Sequence, residues 1–164
     1  MQVHAVDPGY EVSALVVFDG RAVIEHGMFA NRDLLHRFSA RDRSDDHVLV
    51  IEQIASFGMP VGEEVFETVF WSGRFAQAWV AYRAAMPVDR VKRHTVKMHL
   101  CGHPRAKDGN IRQALLDRFG PGKDLAIGRK AAPGPLYGLA GDEWAALAVA
   151  VTWWDQQQQQ RKAG

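Results

Sequence analysis

Three acidic residues sit where an acid is costly unless something compensates its lost hydration. Asp7 closes an apolar run in Ala5-Val6-Asp7-Pro8-Gly9. Glu52 closes another in Val48-Leu49-Val50-Ile51-Glu52-Gln53, and Asp142 opens a long apolar stretch. A carboxylate at the end of a buried strand is usually matched by a divalent cation. Three such acids from distant parts of the chain, in the order Asp, Glu, Asp, point to a magnesium-dependent active site. Each also has a plainer reading. Asp-Pro-Gly is a common turn in which the aspartate bonds local backbone. Glu52 is depleted in strands and could answer an arginine on a neighbouring helix, and Asp142 stands where a helix N-cap is wanted.

The elements that must position these acids follow from periodicity and turn signals. Residues 2–7, 11–18 and 21–28 read as three successive strands, with Asp19-Gly20 as a hairpin turn between the last two. A short helix over 33–41 has Asn31 as its candidate cap. Residues 47–52 form a strand whose four consecutive apolar residues predict burial on both faces. A loop over 53–59, containing Ser56, Phe57 and Gly58, leads through Pro60 into a long helix over 61–84. There Val61, Val65, Thr68, Val69, Ser72, Phe75, Ala76 and Trp79 recur at helical spacing. Residues 88–96 read as a further strand, and Lys107-Asp108-Gly109-Asn110 opens a helix to 119. The Gly- and Pro-rich stretch 120–141 reads as a loop, and a helix over 142–154 ends in a frayed tail. The domain therefore spans 1–155, with 156–164 as a flexible tail. This order predicts an α/β fold. It has a mixed five-stranded sheet, three antiparallel strands then two parallel, flanked by helices, as in the RNase H-like fold.

Composition limits the function classes. At 164 residues, 47% hydrophobic and 24% charged, the chain suits one globular domain. A net charge of +1 does not announce nucleic acid, but the distribution does. Arg90, Lys92, Arg93, Lys97, Arg105, Lys107 and Arg112 crowd one stretch with Asp108 as the only acid, enough to neutralise phosphates or simply to form a solvated face. The single cysteine, Cys101, excludes an internal disulfide and a cysteine-based zinc cluster. His94, His99 and His103 lack zinc-site spacing. No apolar run reaches the roughly 20 residues needed to span a bilayer, and no signal segment is evident, so a soluble cytoplasmic protein is expected.

The ordered set of motifs resembles RuvC-type Holliday-junction resolvases, in the short form of their phage or prophage branch. The likeness is carried by Ala-Val-Asp7-Pro-Gly and by Val-Ile-Glu52-Gln53 followed by a loop and long helix. Val96-Lys97, Cys101-Gly102, Ala106-Lys107-Asp108 and the final Asp142-Glu143-Trp144-Ala145-Ala146-Leu147-Ala148 add to it. The resemblance implies phosphodiester hydrolysis on two magnesium ions, with manganese able to substitute. It makes Asp7 and Glu52 ligands. In that family the last helix carries two ligands three residues apart, and aligning Ala146-Leu147-Ala148 places Asp142 at the first and Ala145 at the second. Either three carboxylates suffice, Glu143 substitutes, or a one-turn shift gives Asp142 the second role.

The resemblance further implies Lys97 and Lys107 near the scissile phosphate, Lys107 with a catalytic part. Arg105, Arg74 and Arg112 become backbone contacts, and Phe57 a wedge in the junction centre. It implies a homodimer through the helix over 61–84, acting on a four-way junction with paired symmetric nicks. Three alternatives stand beside this reading. The same fold could cut flaps, other branched DNA or RNA–DNA hybrid; the protein could bind junctions without cutting; or it could be an actin-like ATPase module. The last lacks the second phosphate loop that such a module requires.

Overall fold

In this computed structural model, which describes residues 1–40, 46–55, 58, 60–82 and 87–164, strand alternation decides which side chains meet. β1 (Gln2–Asp7), β2 (Val12–Phe18) and β3 (Val23–Ala30) pair antiparallel in succession. Asp19 closes the β2–β3 turn by accepting hydrogen bonds from the N–H groups of Arg21 and Ala22, both at 2.8 Å. Gly20 follows at φ +95°, where a Cβ would run into the Trp154 ring. β4 (His47–Gln53) and β5 (Val88–Lys92) add parallel on the other side of β1, giving the order β3-β2-β1-β4-β5. This is the mixed sheet that the sequence predicts.

The sheet carries a core on each face. Val3, Ala5, Val48 and Val50 pack under α3 (Arg93–Cys101), α4 (Asp108–Phe119) and α6 (Glu143–Ala163), against Val96, Leu115, Leu147 and Val151. Val6, Leu15, Leu49 and Ile51 face α1 (Asn31–Ser39) and α2 (Glu63–Tyr82), against Leu34, Phe38, Phe75 and Trp79. β4 is thus buried on both sides, as its apolar run requires. Asp7 lies two residues beyond Ala5, and Glu52 two beyond Val50, so both belong to the α6 face. The parallel register Ala5↔Val50 and Val6↔Ile51 brings them side by side at one end of the sheet.

Five elements depart from the sequence expectation. α1 begins at Asn31 instead of being capped by it. The Asn31 amide donates to the Gly9 carbonyl at 2.9 Å, and its Oδ1 accepts from the Ser13 hydroxyl at 2.6 Å. That hydroxyl oxygen also accepts from the Gly9 N–H at 3.2 Å, so this buried pair locks the turn after Asp7. α2 begins at Glu63, so Val61 precedes it; along the helix Thr68, Phe75 and Trp79 are buried as expected, but Val69 is exposed and Ala78 is buried instead.

The expected strand over 88–96 stops at Lys92. Lys92 pairs with Gln53, the last residue of β4, so the chain beyond has no strand to join and turns into α3. Lys97 is therefore on a helix and not on a strand. The stretch 120–141 contains a helical turn, α5 (Lys123–Ala126), and a minimal hairpin of β6 (Gly128–Arg129) and β7 (Ala132–Pro133). Finally, α6 does not end at Trp154 but runs through the glutamine tract to Ala163. Glutamine is a good helix former, and Asp155 is held by Arg118 at 2.6 and 2.8 Å and by His99 at 2.8 Å. Among the described residues no helix is long and apolar enough to cross a membrane.

Candidate active site

The register that aligns Asp7 with Glu52 leaves their carboxylates at the sheet end that α6 reaches with its first turn. Asp7, Glu52 and Asp142 line one open cleft of about 280 Å³, with Arg93, Asp108 and Arg112 around it. Asp142 occupies the N-cap position of α6, yet its side chain makes no capping hydrogen bond. The capping alternative does not account for it, and the exposed carboxylate faces the cleft. α6 is held firmly behind it: residues 146–151 are fully buried, and the Trp144 indole N–H donates to the Leu139 carbonyl at 3.2 Å. Among the described residues none donates a hydrogen bond to the Asp7 carboxylate, so the local-turn alternative for Asp7 also fails. Ser13 and Asn31 hold that turn in its place.

Burial pushes the Asp7 carboxyl up to about 7, and the facing charges of Glu52 and Asp142 push the same way; Arg93 only partly opposes them. Burial also raises Glu52, against the pull of Arg93 and Lys97. Arg93 is the arginine on a neighbouring helix that could explain Glu52 structurally. Its Nη1 lies 3.3 Å from Glu52 Oε2, and its Nη2 donates to Asp108 Oδ1 at 2.5 Å. Burial disfavours the charge on Arg93, but Glu52 and Asp108 outweigh it and raise its pKa.

The donor set is all carboxylate oxygen with net negative charge, which fits magnesium, a hard cation that prefers oxygen ligands. Burial first, and the neighbouring charges of Glu52 and Asp142 after it, disfavour the Asp7 anion, and a bound cation would relieve both. Among the described residues no three ligating side chains lie close enough together to enclose a metal ion. Asp7, Glu52 and Asp142 are the residues that would hold one.

The other predicted site residues separate into groups. Glu143 is buried and turned away from the cleft. Its Oε2 is 2.9 Å from His26 Nδ1 and accepts the Ala140 N–H at 3.0 Å, a role in fixing the start of α6. Ala145 lines the cleft one turn after Asp142 with only a methyl group, where the resemblance implies a ligand. Lys97 is half-buried on α3, near enough to Glu52 to favour its charge. Lys107 is exposed at the N-cap of α4, where its backbone N–H donates to Asn110 Oδ1 at 2.9 Å. Arg112 borders the cleft and stacks on Trp144, 4.7 Å from the ring centre.

Arg105 opens instead onto a separate hollow with His103, Asn110 and Gln113. Arg74 stacks on Trp71 at 4.5 Å, on α2 across the sheet from the acids. Phe57 lies outside the described residues. Sequence reading missed Arg93 and Asp108 as members of the cleft. Arg93 was one cation among seven in its stretch, and its place directly after the last residue of β5 is seen only once that strand is known to end at Lys92.

No protein-family model matches the chain, and no curated protein matches its sequence. Solved structures do match its fold. "Thermus thermophilus RuvC structure" superposes with a TM-score of 0.66 at 19% identity, covering 97% of both chains. "T. thermophilus RuvC in complex with Holliday junction substrate" gives 0.68 at 19% identity, covering 97% of this chain and 96% of that one. The chain therefore has the RuvC fold over nearly its whole length, as its motifs predict.

Proposed function

We propose that the protein is a structure-selective DNA endonuclease that resolves four-way junctions. The observation that carries this reading is the meeting of Asp7, Glu52 and Asp142 in one cleft. They meet on a fold that in Thermus thermophilus is seen with a Holliday junction substrate. Two magnesium ions bound there would supply an activated water and charge stabilisation for the leaving 3′-oxygen of a phosphodiester. The chain's own part is to place three carboxylates on rigid supports, two at strand ends and one on a buried helix. It also surrounds them with cations that can meet a phosphate backbone. Lys97 on α3 and Arg112 on α4 lie near the acids and suit that task, with Lys107 exposed just before α4; Arg105 and Arg74 would contact DNA further out.

The test is cleavage of a synthetic four-way junction beside linear duplex, flap and RNA–DNA hybrid controls, with magnesium, manganese or chelator. Paired symmetric nicks in the junction alone are expected, with none in chelator. Equal cutting of flap or hybrid would keep the site and reassign the substrate, and binding without cutting would mark a non-catalytic relative.

Paired nicks need two active sites related by two-fold symmetry. α2 offers the surface for it: Phe66, Val69, Phe70 and Val80 recur on one side and are 53–64% exposed. Trp79 belongs to the core, Trp71 is half-buried, and positions 83 and 84 of the expected helix lie outside the described residues. Exposed phenylalanines on one helix face suit a second copy of the same face better than water. A variant carrying Phe66→Glu and Phe70→Glu is expected to sediment as a folded monomer where the wild type is a dimer. A wild-type monomer, or a variant that still dimerises, would move the interface elsewhere.

A further inference from the structure

Of the two arginines among the described residues that line the cleft, Arg93 and Arg112, Arg93 is the one that reaches an acid assigned to the metal. It is the first residue of α3, and it lies in the wall between two hollows, lining both along with Asp7 and Glu52. Its two terminal nitrogens reach different acids. One lies 3.3 Å from Glu52, whose side chain is 11% exposed, and the other bonds Asp108, which is 81% exposed. The guanidinium thus stands between a buried carboxylate that would be a metal ligand and an exposed one that need not be.

A guanidinium and a divalent cation cannot both claim the same face of Glu52 without strong repulsion. At an effective dielectric constant of about 20, a unit charge 5 Å from a divalent ion costs several kcal/mol before screening. The cost is lowered if the guanidinium can move off while staying neutralised. Asp108 provides that at little desolvation cost, since its carboxylate lies in water and already holds one of the two nitrogens.

We infer that Arg93 is a resident counterion that competes with the divalent metal for Glu52, and that Asp108 is the anchor to which it withdraws when metal enters. The inference rests on the reading of Asp7, Glu52 and Asp142 as a metal site. It assigns Arg93 a positioning role: it keeps the acid cleft neutralised without metal and sets how much metal is needed to load it.

The experiment is Mn2+ binding to the free protein, followed by the electron paramagnetic resonance signal of unbound Mn2+, so that no turnover is involved. Arg93→Met is expected to bind Mn2+ about tenfold more tightly than the wild type. Arg93→Gln, which keeps a donor for Glu52 but loses the charge, should gain in the same direction and serves if the methionine variant folds poorly. Asp108→Asn should weaken binding in the wild-type background, because Arg93 then has only Glu52, and should do distinctly less in the Arg93→Met background. Unchanged or weaker binding in both Arg93 variants would overturn the inference, as would an equal effect of Asp108→Asn in the two backgrounds. Asp7→Asn separates the failures: if it binds Mn2+ as well as the wild type does, the metal-site reading itself has failed and Arg93 falls with it.

Discussion

Asp7→Asn and Glu52→Gln are each expected to lower junction cleavage by about a thousandfold or more while leaving junction binding near the wild-type level. Both substitutions keep the shape of the side chain and remove one anionic ligand. If that ligand helps hold an ion that stabilises several kcal/mol of developing charge, its loss costs orders of magnitude in rate. On the proposed reading binding survives, because backbone recognition then falls to Lys97, Lys107 and Arg112 and the acids only repel phosphate. Loss of one carboxylate charge should, if anything, tighten the complex slightly. Glu52→Gln carries a second consequence, since Arg93 loses one of its two anionic partners and retains Asp108. Single-turnover cleavage beside a mobility-shift titration in calcium or chelator reads the two effects separately. Wild-type cleavage by either variant would remove the acids from the chemistry. Loss of binding in step with cutting would make them structural.

What the sequence made legible, and what it hid, follows from the range of the forces involved. Asp7 and Glu52 could be placed because a strand end after an apolar run is a local pattern, and alternation then fixes the face. Asp142 could be placed because the apolar run behind it has to be a buried helix. Their meeting was not local: it depends on the parallel register of β1 with β4, which no residue of either strand announces. The α3 helix was hidden because Val88, Val91 and Val96 favour a strand, and only the end of β4 at Gln53 denies that strand a partner. Asn31 carried an N-cap signal but serves the turn after Asp7, since its hydrogen bonds reach across to Gly9 and Ser13. Glu143 looked like a spare ligand by adjacency to Asp142. Successive residues of a helix point about 100° apart, so its carboxylate turns to His26 while Asp142 faces the cleft.

In chelator, Asp7→Asn is expected to be more stable than the wild type above neutral pH and about equal to it near pH 4. The folded-state pKa of Asp7 is about 7, against an unfolded value near 3.8. Between those values the folded protein holds a proton that the unfolded chain has released. Stability therefore falls as pH rises from about 4 to about 7 and is flat beyond. A shift of about three units sets an upper limit of about 4 kcal/mol, and relaxation of the cleft should leave about 1–3 kcal/mol of it. Asparagine never takes the charge, and its presence also relieves Glu52 and Asp142 of a repulsive neighbour. Other titrating groups are common to both proteins and largely cancel in the difference. Urea unfolding at a series of pH values should thus show the two stabilities diverging from pH 4 to 8. Magnesium should then close the gap, because an ion that binds only the folded state stabilises it in proportion to the logarithm of its concentration, and the variant has lost a ligand for it. Parallel pH profiles would mean that Asp7 ionises freely. A gap that magnesium leaves unchanged would mean that the cation which this strained carboxylate is built to meet does not bind there.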